Sequence, residues 1–330
     1  MKYFVTGATG FIGGRVARML VAQGHEVVAI ARNPAAATDL SNVGVRVVAG
    51  DVTDKASLRE PMTGADGIYH IAGWYKIGVK DKSQGVRINV DGTRNVLEVM
   101  RELGIPRGVY TSTLAVNSDT HGRLVDETYH YDGSFLSEYD RTKWVAHYQV
   151  AEPMIAAGLP LIIVMPGVVY GPGDTSSVRT TFLQYLERKL PMIPQRTAFC
   201  WATVEDTAQG HLLAMEKGKV GETYMICGEP HTLVEALDLA EAVTGIPRPA
   251  SVPPFMLRFG SRLMGLVEKG ITVPEQFSGE NIRVIAGATY LGSNAKAKRE
   301  LGFAPRPLEE GLPETLHHEM GLLGIESKKR

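Results

Sequence analysis

The chain has 330 residues, 44% of them hydrophobic and 22% charged, with a formal net charge of −1. This is the balance of a well-cored globular protein, one large domain with an appended lobe, and it excludes bulk electrostatic recruitment to nucleic acid or to a membrane surface. The two cysteines, Cys200 and Cys227, are too few for a disulfide framework and point to a reducing, cytoplasmic setting.

No run is long enough to cross a bilayer. The most apolar stretch, Leu159-Pro160-Leu161-Ile162-Ile163-Val164-Met165, stops at Pro166-Gly167, far short of about 20 residues. The N-terminus, with Lys2 ahead of apolar residues, has the outline of a signal peptide. Its glycines and Arg15 make it a strand and turn instead.

Strands are expected at 2–6, 26–31, 45–49, 67–72, 108–112, 161–164 and 223–227. These runs are apolar throughout rather than alternating, as parallel strands covered on both faces require. Helices are expected between them, at 11–23, 57–62, 90–103, 138–154 and 205–216. Strand and helix alternating at this spacing predict an α/β fold: a doubly wound parallel (Rossmann) sheet. Beyond Gly171 the pattern loosens. The expected division is a cofactor-binding domain of residues 1–174 with 203–228, and a smaller C-terminal substrate lobe of 175–202 with 229–330.

The first strand runs directly into Thr6-Gly7-Ala8-Thr9-Gly10-Phe11-Ile12-Gly13-Gly14, which opens a helix. Gly7 permits the tight turn, Gly10 lets a pyrophosphate approach the backbone, and Gly13 lets helix and strand pack closely. The helix N-terminus offers free N–H groups to phosphates. A glycine triplet alone is a common loop; its place between a strand and a helix at residue 7 makes it a dinucleotide turn.

The second strand ends Ala31-Arg32-Asn33, where an NAD site places an acid for the ribose 2′-hydroxyl. Arg32 there suits a 2′-phosphate, so NADP(H) is preferred over NAD(H), unless Arg32 is only a solvated loop residue. Asp51, in Gly50-Asp51-Val52, either reaches the adenine amino group or caps the next helix.

Tyr139-Asp140-Arg141-Thr142-Lys143 sets a phenol and an ammonium at i and i+4 on one helix face. Carbonyl reduction needs a proton donor at the carbonyl oxygen, and a nearby ammonium favours the phenolate that remains. Twelve tyrosines make a chance match real, and an exposed pair of this kind is worth only tenths of a kcal/mol. The surroundings count against chance: Val109-Tyr110-Thr111-Ser112-Thr113 ends a strand at the ligand edge, with Thr113 the first choice for a hydroxyl partner and Ser112 the second.

The motif order T-G-A-T-G-F-I-G-G, G-D-V, H-I-A-G, N-V-D-G-T-R-N-V, Y-T-S-T, Y-D-R-T-K, P-G-V-V-Y-G-P-G-D and V-E-D-T-A resembles the extended short-chain dehydrogenase/reductase (epimerase/dehydratase-like) family over about residues 1–230. Within it, the chain is similar to the dihydroflavonol-reductase-like and hopanoid-associated branch. The resemblance implies Tyr139 as acid/base, Lys143 as its activator and Thr113 as hydroxyl partner. The cofactor contacts expected with it are Gly7, Thr9, Gly10, Phe11, Ile12, Arg32, Asp51, Val52, Ala72, Tyr139, Lys143, Pro166 and Val169. It also implies a homodimer paired through helices 90–103 and 138–154.

Nucleotide-sugar members clamp the diphosphate with an arginine shortly before the segment matching Val204-Glu205-Asp206; Phe199 stands there, and Met165 replaces an asparagine common before the sixth-strand proline. Trp74, Tyr75, Phe199 and Trp201 are candidate walls of an apolar substrate pocket, against ordinary packing as the alternative. Arg179 and Arg196 are the cations that would reach an anion from a loop. His70 reads as a core or cofactor-edge residue, and the nine histidines form no metal pattern. The apolar stretch 255–267 reads as a core helix or pocket lid ahead of a membrane-surface helix, and 327–330 as a frayed tail.

The expected function is NADP(H)-dependent reduction of a ketone or aldehyde on a largely apolar small molecule. A nucleotide-sugar epimerase or dehydratase with tightly bound NAD is the second reading. A non-catalytic NADP sensor is the third, and an intact Thr113/Tyr139/Lys143 set argues against it.

Overall fold

Seven strands form one parallel sheet. The structure is a computed structural model that describes residues 1–257, 259 and 278–325. Among these, the strands in chain order are β1 Lys2–Thr6, β2 Glu26–Ala31, β3 Arg46–Ala49, β4 Gly67–His70, β5 Gly108–Thr111, β6 Leu161–Pro166, β7 Val168–Tyr170, β8 Ile193–Pro194, β9 Ala198–Thr203, β10 Thr223–Ile226, β11 Pro230–Thr232, β12 Ser251–Val252 and β13 Thr289–Tyr290. The main sheet runs β10-β6-β5-β4-β1-β2-β3, every pair parallel. This is the doubly wound arrangement the apolar runs predict. β6 is buried at every residue, and the helices on the two faces enclose separate apolar cores, one around Phe4, Leu97 and Ile163, the other around Val5, Leu20 and Val164.

From β1 the chain winds outward to β3, then crosses back to β4 on the other side of β1. A crevice opens at the carboxyl ends of the strands where the winding reverses, the usual ligand position in such sheets. Two long helical spans flank it. The expected 90–103 helix begins earlier, at Ser83, and passes through a wide π-helical turn, Val86–Gly92, before Thr93–Glu102. The expected 138–154 helix likewise contains a wide turn, Val145–Ala151, between Glu138–Trp144 and Glu152–Ala156. The two wide turns touch each other.

Gly167 turns the chain out of the main sheet: a Cβ there would lie 2.2 Å from the Cys200 carbonyl oxygen. β7 then pairs with β9, which also holds β11 and β13, so the second sheet begins ahead of residue 175. A third core fills this lobe with Phe182, Trp201, Leu237 and Leu312. Most of the 255–267 stretch, and the 327–330 tail, lie outside the described residues; Phe255 and Phe259 are described and are 70% and 71% exposed.

Candidate active site

The glycine turn has no room for side chains. Gly7 sits at φ +75°, and a Cβ on it would lie 2.6 Å from the Ala72 backbone nitrogen at the end of β4. A Cβ on Gly13 would lie 2.2 Å from the Gly7 carbonyl oxygen. Gly10 begins the helix Phe11–Ala22 with no side-chain cap, so the N–H groups of its first turn face the crevice. That end of a helix attracts anions. The cleft beside it encloses about 680 Å³, in the range that buries a cofactor-sized ligand. The backbone cradle, the uncapped helix and the volume together fit a dinucleotide.

Every expected cofactor contact lines this cleft: Gly7, Thr9, Gly10, Phe11, Ile12, Arg32, Asp51, Val52, Ala72, Tyr139, Lys143, Pro166 and Val169. Arg32 is exposed at the end of β2 and makes no ion pair with a described residue. Asp51 is not a helix cap. Its Oδ1 accepts from the N–H and hydroxyl of Thr53, both at 2.9 Å, while the helix Ala56–Met62 begins after Lys55 with no side-chain cap.

At the inner end, Thr113 and Tyr139 both line the cleft, the Thr113 hydroxyl near enough to the phenol to oppose the effect of its burial. Thr113 Oγ1 accepts the Ala115 N–H at 3.1 Å. Ser112, the second choice, is engaged elsewhere: its hydroxyl lies 2.7 Å from His147 Nδ1 in the core. Ser137 caps the helix that carries Tyr139, its hydroxyl accepting the Asp140 N–H. Lys143 is buried one turn further on, donating to the Thr111 carbonyl at 2.7 Å and to the Tyr110 hydroxyl at 3.2 Å.

Burial governs the electrostatics here. It pushes the Tyr139 phenol above its ordinary value, against the Thr113 hydrogen bond, and pulls the Lys143 ammonium down to about 7. The lowering of the phenol by the lysine, expected from the spacing, is absent: burial dominates, and what opposes it is the Thr113 hydroxyl. His70 is held at about 3, by burial first and by Lys143 second.

Aromatic rings wall the rest of the inner end. Tyr75 meets Tyr139 edge to face at 4.8 Å, and its hydroxyl lies 3.3 Å from Ser177 Oγ of the second lobe. Phe199 stacks on Tyr290 at 5.8 Å. Trp74 lines the cleft and is fixed by Asn89, whose Oδ1 accepts the Trp74 N–H at 2.7 Å. Trp201 is not a wall: it is 3% exposed in the second lobe's core, donating to the His231 carbonyl, and does not line the cleft. Sequence reasoning missed Tyr290 and Asp140, which are joined at 3.2 Å with Tyr290 donating. Asp140 stood in view inside the tyrosine–lysine motif, whereas nothing in the sequence marks Tyr290.

Neither expected anion-reaching cation is in place. Arg179 is bound to Glu319, and Arg196 does not line the cleft. Instead two buried carboxyls, Asp140 and Asp174, face the inner end. Burial raises both, Asp140 to about 7. The described residues contain no group of side chains able to hold a metal ion, and no described helix is long and apolar enough to cross a membrane.

The NAD dependent epimerase/dehydratase family matches residues 3–227. A Synechocystis protein named "Putative dihydroflavonol 4-reductase" is 31% identical over 96% of this chain and 93% of its own. The 2-alkyl-3-oxoalkanoate reductase of Stenotrophomonas maltophilia is 30% identical over 94% of this chain and 97% of its own. The solved UDP-glucose 4-epimerase of Thermotoga maritima superposes with a TM-score of 0.76 at 22% identity, covering 98% of this chain and all of its own, a likeness of fold alone.

Proposed function

The chain belongs to the NAD dependent epimerase/dehydratase family of extended short-chain dehydrogenases/reductases, and from that premise we propose that it reduces, with NADP(H), a ketone or aldehyde carried on a largely apolar small molecule. The observation that carries this reading is the make-up of the inner cleft. Phe199, Tyr290, Tyr75 and Val168 line it beside two buried carboxyls, and among the described residues Arg32, at the opposite end, is the only arginine in the cleft. A diphosphate seated against Asp140 and Asp174 would lose its hydration with no arginine to clamp it: the lysines of the cleft are Lys143, already bonded to Thr111 and Tyr110, and the exposed Lys76. An apolar carbonyl compound loses little there, and relatives named as reductases favour it further.

The nicotinamide, when bound, supplies the hydride. Tyr139 supplies the proton: burial keeps its phenol protonated at neutral pH, the form that donates to a carbonyl oxygen. Thr113, its oxygen occupied by the Ala115 N–H, has its own O–H left to donate beside the phenol. Lys143 in its ammonium form stabilises the phenolate left behind. Hydride and proton together turn the carbonyl into an alcohol, and every step reverses for oxidation. Gly7, Gly10 and the uncapped helix would hold the pyrophosphate, and Arg32 would hold the 2′-phosphate.

Calorimetric titration with UDP, GDP and dTDP, run beside a panel of aromatic and alicyclic ketones assayed for NADPH oxidation, tests the proposal. We expect turnover on part of the ketone panel, reduced about 10²-fold or more by Tyr139→Phe with NADPH affinity kept. Micromolar nucleotide binding at the substrate end, with no ketone turned over, would favour the epimerase instead.

A further inference from the structure

Lys143 has no carboxylate partner among the described residues, although its charge is buried. The groups around it are neutral. From β5 come the Thr111 carbonyl at 2.7 Å and the Tyr110 hydroxyl at 3.2 Å, and the Tyr110 ring centroid lies 4.8 Å from Nζ. Burial raises the Tyr110 phenol, so it is un-ionised. His70 on β4 faces the ammonium and is held neutral by burial. On the lysine's own helical span, burial likewise lowers His147, and the Tyr139 phenol is raised.

Tyr110 does not stand alone. The Thr93 hydroxyl lies beside its phenol oxygen and opposes the effect of burial on it. Thr93 Oγ1 lies 3.0 Å from His70 Nε2, and His70 Nδ1 lies 2.8 Å from Thr6 Oγ1. Thr6 Oγ1 accepts two backbone N–H groups, from Ile71 and Ala72, each at 3.1 Å. With both lone pairs occupied, the Thr6 hydroxyl must donate to His70 Nδ1. That fixes the proton of the neutral imidazole on Nε2, which donates to Thr93, leaving the Thr93 O–H free to turn toward the Tyr110 oxygen beside it. The chain thus has one direction, from the ends of β1 and β4 beneath the glycine turn to the lysine. All four side chains in it are fully or almost fully buried.

We propose that Tyr110 is a positioning residue for Lys143: its hydroxyl, oriented by Thr93, His70 and Thr6, is the acceptor that keeps the lysine an ammonium aimed at Tyr139 and the nicotinamide ribose. This rests on the reading of Tyr139 and Lys143 given above. The chain ends on backbone amides and not on solvent, so it orients and does not conduct protons. A phenylalanine at 110 keeps the ring under Nζ and removes only the acceptor. With one acceptor fewer, a buried ammonium loses its proton at lower pH.

The test uses the full-length protein and NADPH, whose binding needs no knowledge of the substrate. NADPH affinity is followed by nucleotide fluorescence between about pH 6 and 10, the span that brackets a lysine shifted from its usual value. Lys143→Met, as a reference, should remove the alkaline loss of affinity. If it does not, the assigned role of Lys143 has failed, and with it the site reading on which this inference depends. If it does, Tyr110→Phe should move the alkaline midpoint down by about one pH unit while the protein stays folded across the range. Thr93→Val, which is nearly isosteric, should move it the same way by a smaller step. The alkaline limb of ketone turnover should shift in parallel. A Tyr110→Phe profile that superposes on the wild type, with the Lys143→Met control behaving as stated, overturns the proposal. A Thr93→Val profile that superposes while Tyr110→Phe shifts overturns the oriented chain.

Discussion

Arg179 and Glu319 are locked together by two hydrogen bonds, Nε to Oε1 at 2.8 Å and Nη to Oε2 at 2.9 Å, and the Glu319 side chain is 1% exposed. The pair ties the helix Ser177–Leu186, beside the cleft, to the helix Leu308–Leu323. An arginine bound on both sides to a buried carboxylate is not available to a ligand's phosphate. Arg179→Ala should therefore act on stability and not on binding. Stranding a buried carboxylate costs about 3 kcal/mol, the low end of the usual range because Arg179 is partly exposed. Adding Glu319→Leu should recover most of that loss. Urea unfolding of the two variants, with NADPH titrated into each, is the check; a weakened ligand with unchanged stability would return Arg179 to the site.

The main sheet was legible because its strands are buried on both faces and so read as unbroken apolar runs. β1 and β2 fall where the pattern puts them, and the other ends shift by a residue or two where the chain leaves the hydrogen-bond ladder. The Tyr139/Lys143 spacing was legible for the same kind of reason, since a helix face is a local property. What the sequence could not show is non-local. β13 is two residues long and exists by pairing with β9, which brings Tyr290 onto Phe199 and Asp140. Trp201 and Phe199 lie on that same strand two residues apart, yet one fills the core and the other the cleft. Cys200 and Cys227, 27 positions apart in the chain, both donate to the Gly292 carbonyl at 3.3 Å. The surroundings of Tyr139 and Lys143 are likewise distant in sequence: Tyr75 packs on the one, and Tyr110 and Thr111 hold the other.

Asp140 makes stability depend on pH. Burial raises its carboxyl to about 7 from an unfolded value of 3.8. Between those values the folded state keeps a proton that the unfolded chain has lost. The stabilisation is therefore full below about pH 4 and disappears as pH rises towards 7. Asp140→Asn keeps the shape and removes the titration. Relative to wild type, the variant should gain about 2 kcal/mol between pH 4 and pH 8, a discounted figure for a shift of this size. Denaturant unfolding at both pH values measures it. An equal difference at the two pH values would mean that Asp140 is ionised throughout.

On the proposed reading, Arg32 decides the choice of cofactor. It stands at the carboxyl end of β2, exposed, in the cleft, and without an ion pair to any described residue. A 2′-phosphate placed there gains a charge-assisted contact; a 2′-hydroxyl gains little. Because the site is open to solvent and salt, the contact belongs at the low end of its range, about 1.5 kcal/mol, or roughly tenfold in affinity. Arg32→Ala should therefore weaken NADPH by roughly tenfold and leave NADH nearly unchanged. Raising ionic strength should weaken NADPH binding to the wild type more than to the variant, since only the wild type has the ion pair to screen. Parallel titrations of both cofactors at low and high salt read all of this. Tighter binding of NADH than of NADPH by the wild type would assign Arg32 to the solvated surface and make the protein an NAD enzyme.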